Sequence, residues 1–89
     1  MAKIDMAMAS PAEGALNGAA ADALFNLGMM YCAGRKVPRD LVAAHKWFNL
    51  AALRGSQEAR TCRMEISQEM STGEIAEAQR QARQWLTLH

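Results

Sequence analysis

The stretch ALFNLGMMYCAGRKVPRDLVAAHKWFNLAALRG, residues 23–55, decides how this chain folds. Its first part sets Ala23, Leu24, Leu27, Met30 and Tyr31 at three- and four-residue spacing, the apolar stripe of an amphipathic helix running from about Ala20 to Ala33. Gly34 is placed to end that helix, and Arg35 to Arg39 form a polar loop containing Pro38. Asp40 then stands where a cap belongs. Beyond it Leu41, Ala44, Trp47, Phe48, Ala51 and Ala52 make a stripe wide enough to touch neighbours on two sides, and Gly55 closes the segment.

Working outward, Ser56 can cap a third helix, Gln57 to Met70, with Ala59, Cys62, Ile66 and Met70 inward. Ser71-Thr72-Gly73-Glu74 places a glutamate three residues after a serine, the signature of a capping box. A fourth helix to Leu88 follows, with Ile75, Ala78, Ala82, Trp85 and Leu86 expected inward. Toward the start, Ser10-Pro11-Ala12-Glu13 also reads as a helix start. Gly14 and Gly18, each costing a helix about 1 kcal/mol against alanine, reduce it to a short turn or a frayed tail. The expected organisation is therefore a tail over residues 1–19, one helical hairpin over 20–55 and a second over 56–89. Short connections make the helices antiparallel neighbours, so the fold class is all-α.

Comparing the chain with itself adds a repeat. Ala44, Trp47, Phe48 and Leu50 recur thirty-eight residues later as Ala82, Trp85, Leu86 and Leu88, the pattern A-x-x-W-[FL]-x-L. The preceding helices align less well, which suits a divergent terminal hairpin acting as a cap. Within the first hairpin the residues Ala23, Asn26-Leu27-Gly28, Tyr31, Gly34, Val37, Asp40, Ala44, Trp47, Phe48, Ala51-Ala52 and Gly55 resemble, in order and spacing, the Sel1-like repeat family of TPR-like helical repeats, such as occurs in small bacterial proteins. The resemblance implies a right-handed α-solenoid of about two hairpins whose units act as adaptors in protein assemblies. Each signature residue also has a physical task. Gly28 lets the helices approach, Gly34 and Gly55 take left-handed helix ends, and Trp47 and Phe48 fill the space between hairpins, with Trp85 as the later counterpart.

Composition narrows the function. At 89 residues one domain is the limit, and 51% apolar with only 6% aromatic residues is an alanine-rich, helix-packing composition. A net charge of +1 argues against a general nucleic-acid binder. Basic residues do gather between Arg35 and Arg63, so an RNA-associated role is the competing reading. Cys32 and Cys62 fit neither a disulfide framework nor a metal site and are expected to be small buried packing residues. The disulfide-bearing, β-lactam-acting branch of the resembled family is not matched, because its cysteines are missing here. No catalytic, cofactor or metal set is found. His45 is assigned to the outer, solvated side of its helix, and the methionines mainly to core filling. Neither a secretory signal nor a membrane span is expected, and the cytoplasm is the expected location. Two repeats are too few to cover their own apolar faces. A protein partner or a second copy is therefore expected to bind near Leu24, Met29, Arg35, Lys36 and Arg39.

Overall fold

A computed structural model describes residues 9–88, with side chains described from Ala20 onward. It holds four helices: α1 (Ala9–Ala33), α2 (Leu41–Leu53), α3 (Gln57–Ser67) and α4 (Thr72–Leu88). Among the described residues there is no strand. The fold is thus all-α.

Helix α1 runs without a break through Gly14 and Gly18, where a short turn or tail was expected; Met1 to Met8 lie outside the described residues. Adding a residue to an existing helix fixes one residue per hydrogen bond gained, whereas a separate turn must be nucleated. Two glycines among alanines are tolerable on those terms. At the C-terminal end of α1 three of the last four carbonyls find donors. Gly34, at φ +72°, and Arg35 donate their backbone N–H groups to Met30 O, Asp40 N–H reaches Tyr31 O at 3.0 Å, and Arg39 Nε–H reaches Cys32 O at 2.9 Å. The loop between α1 and α2 takes its path because those carbonyls need donors.

Capping at the other helix starts follows the sequence closely. Asp40 accepts from Ala43 N–H at 3.1 Å and Ser56 from Ala59 N–H at 3.0 Å. Ser71 and Glu74 form the reciprocal box: Ser71 N–H donates to Glu74 Oε1 at 2.8 Å, and Glu74 N–H to Ser71 Oγ at 3.0 Å. At the end of α2, Gly55 with φ +105° allows Ser56 N–H to reach Ala51 O and its own N–H to reach Ala52 O. Helix α3 stops at Ser67 and not at Met70, yet the following turn still delivers Met70 to the core.

Helix α2 is the centre, packed against each of the other three helices. Its Ala44, Phe48 and Ala51 are wholly buried. Phe48 meets α1, where a Cβ built on Gly28 would stand 2.5 Å from two of its ring carbons, and its ring lies 5.7 Å from that of Phe25. Phe48 therefore packs inside the first hairpin, not between hairpins. Helix α3 runs antiparallel to α2, tied by His45 to Ser67 and by Asn49 to Arg63.

Helix α4 packs on α2 and lies parallel to it, the orientation that two chain reversals give. Glu74 at its start shares a cleft with Leu41 and Val42, and Trp85 near its end meets Trp47. The α3 segment supplies the return that makes this possible. The repeat-equivalent tryptophans touch edge-on, with ring centroids 6.0 Å apart. Two inward assignments change: Ala23 and Leu86 are exposed, Leu86 at 42%, while Cys32 and Cys62 are partly buried against the core. On α1 the buried line is instead Ala21, Leu24 and Gly28. Leu86 sits where Phe48 sits in the first repeat, without a helix like α1 laid over it.

Candidate functional site: surfaces of the helical hairpins

Of the residues expected on a docking face, Leu24 is spent in the core at 6% exposure, and Met29 is partly buried against it. Both read as surface candidates because a stripe of this width shows which residues are apolar, not which flank is covered. Arg35 and Lys36 are exposed in the α1–α2 loop, with Lys36 at φ +67°, an uncommon left-handed position for a residue with a side chain. Arg39 braces the loop, since besides Cys32 O it binds Glu69 Oε1 at 3.3 Å. Within the rest of the basic stretch, Arg63 is hydrogen-bonded to Asn49, Arg60 to Gln57, and Arg54 and Lys46 lie over the rings of Trp85 and Trp47.

His45 corrects its sequence assignment. It is 3% exposed, in the α2–α3 interface, because the helical wheel of α2 has covered faces toward three helices and leaves little outer side. Ser67 Oγ donates its proton to Arg63 O at 2.7 Å, so it accepts from His45 Nε2–H at 3.1 Å. That fixes the neutral Nε2–H tautomer, and Nδ1 has no partner. Burial, with the Arg63 guanidinium adding, holds this imidazole below its ordinary value. The group is structural, buried as a neutral donor. Burial likewise pushes the Cys62 thiol up, with Glu65 and Cys32 adding, which favours the unreactive thiol.

Two clefts open beside the long axis of α2. The larger, about 430 Å³, is walled by the α1–α2 loop, the start of α2 and the start of α4. Tyr31, Pro38, Leu41 and Val42 give it an apolar and aromatic lining, and Arg39, Asp40, Glu69 and Glu74 its charge. The smaller, about 240 Å³, is lined by Lys46, Arg80, Gln81, Gln84, Trp85 and Leu88. Beside it the Glu77 carboxylate is drawn down to about 2 by hydrogen bonds from Arg80 and Gln81. Neither cleft was named in the sequence reading, since both depend on how α4 returns beside α2. Among the described residues no group of three His, Cys, Asp or Glu side chains could hold a metal ion, and no helix is long and apolar enough to cross a membrane.

A hairpin of α1 and α2 closed by left-handed glycines, with α3 and α4 each packed on α2 and not on one another, defines an α-helical protein built on a repeat unit. The family model described as the Sel1 repeat matches residues 21–56, which takes in the α1–α2 hairpin and ends at the cap of α3. Over those residues the chain carries a Sel1-like repeat. Searches of curated proteins and of solved structures find no match. Sel1 repeats generally mediate protein–protein interaction.

Proposed function

We propose that this chain is a non-enzymatic protein-binding module, an adaptor or small subunit, in which the second hairpin caps the Sel1 repeat. The observation that carries the reading is the Sel1 repeat itself, folded as the α1–α2 hairpin with its loop presented to solvent. Its polar network supports the same view. His45, Arg39 and the capping residues are consumed in holding helices together, which is the use a scaffold makes of them. We place the protein in the cytoplasm, in keeping with two free thiols. The partner is another protein or a second copy of this chain.

Affinity capture of the tagged chain from its native host, followed by mass spectrometry and by sizing of the eluted material, tests the reading. A reproducible, stoichiometric partner at moderate salt, or a self-associated species, is expected. A chain that stays monomeric and captures nothing above background defeats it.

A further inference from the structure

The larger cleft has a chemistry of its own. Three carboxylates, Asp40, Glu69 and Glu74, face one guanidinium, Arg39, which is already committed to Cys32 O and Glu69. Each carboxylate uses one oxygen internally: Asp40 on Ala43 N–H, Glu69 on Arg39 and Glu74 on Ser71 N–H. The second oxygen of each takes no hydrogen bond among the described residues. These groups are not placed to converge on a metal ion. They border a half-buried tyrosine ring and the apolar side chains of Pro38, Leu41 and Val42. An acidic rim beside an aromatic face and an aliphatic floor suits a cation that is large, flat and carried on an alkyl stem.

Resting on the protein-binding reading above, we propose that this cleft receives an arginine side chain from an extended segment of the partner protein. The guanidinium lies at the Glu69 and Glu74 carboxylates and against the Tyr31 ring, while the arginine stem and a neighbouring apolar residue cover Leu41 and Val42. Guanidinium is favoured over ammonium because its planar fork can bind a carboxylate and stack on an aromatic ring together. At about 430 Å³ the space lies in the range of ordinary ligand pockets and is ample for one such side chain and its neighbour.

The probe is the peptide acetyl-Gly-Leu-Arg-Leu-Gly-amide, titrated into the full chain at low salt and followed by NMR. Its counterpart carries citrulline, the neutral isostere, in place of arginine. Saturable shifts centred on Tyr31, Leu41 and Val42 are expected with the arginine peptide and not with the citrulline one. In Asp40→Asn/Glu69→Gln/Glu74→Gln every internal hydrogen-bond acceptor is kept and only charge is lost. Loss of two exposed ion pairs of ordinary strength, at Glu69 and Glu74, and of the neighbouring Asp40 charge makes that variant bind roughly tenfold more weakly. Equal binding of both peptides, equal binding by parent and variant, or shifts centred elsewhere overturns the proposal. The citrulline comparison needs no variant, so misfolding cannot blur the result. A partner captured from the host while the arginine peptide fails would overturn this site and leave the protein-binding reading standing.

Discussion

Phe48 and Gly28 are the residue pair on which the first hairpin depends. The ring of Phe48 is wholly buried and occupies the volume a Cβ at position 28 would need. Phe48→Ala should cost about 3–5 kcal/mol, and more than Trp47→Ala, because Trp47 is only partly buried. Denaturant melts of the two variants check the order. Gly28→Ala gains about 1 kcal/mol of helix propensity but drives a methyl into that ring, a clash worth about 1–3 kcal/mol. The net effect should be a loss, partly recovered when Phe48→Leu is added; a more stable Gly28→Ala single variant would show that the ring can yield. His45 gives a pH dependence. Its folded-state value lies below the ordinary 6.5, so the unfolded chain binds the proton more readily, and stability is full above 6.5 and falls as pH drops toward the folded value. The melting temperature of the parent should decline below that pH more steeply than that of His45→Asn. Parallel curves would mean that His45 is not held neutral by its burial.

Among the elements, α4 owes its start to the Ser71–Glu74 box, the most regular cap in the molecule. Ser71→Ala should cost about 1 kcal/mol, read as a lower urea midpoint with unchanged slope. An unchanged midpoint would place the start of α4 under the control of packing alone. The helix ends marked by Asp40, Ser56, Ser71, Gly34 and Gly55 were legible in the sequence because each acts within a few residues of itself, whereas the run of α1 through Gly14 and Gly18 and the stop of α3 at Ser67 carry no such mark and were not. Helix faces were less so. Ala23 and Leu86 carry the right spacing for burial but are exposed, and His45 carries a polar ring into an interface. Which flank of a stripe is covered depends on the neighbour's position, and no local rule contains it.

The described residues span 52 × 25 × 20 Å with a radius of gyration of 15.0 Å, against about 12 Å for a compact domain of that length. Helix α1, at about 37 Å, is much longer than α2, at about 20 Å, so part of it extends beyond its partner helix. Stability rests on the cluster around α2, and α4 contributes Ala82 and Trp85 to it. A chain ending after Met70 should therefore lose cooperative melting; a sharp, two-state melt of that shortened chain would show that the first hairpin and α3 suffice. The sequence alone determined the helical class, the presence of a Sel1-like repeat and the recurrence of one tryptophan pattern at Trp47 and Trp85, because periodicity and caps are short-range. Only the tertiary structure decided that those tryptophans touch, that α4 packs on α2, that Leu24 and His45 are buried, and that a carboxylate-rimmed cleft opens between the first loop and α4. Each of these depends on where a distant segment returns, and that follows from the packing of all four helices together.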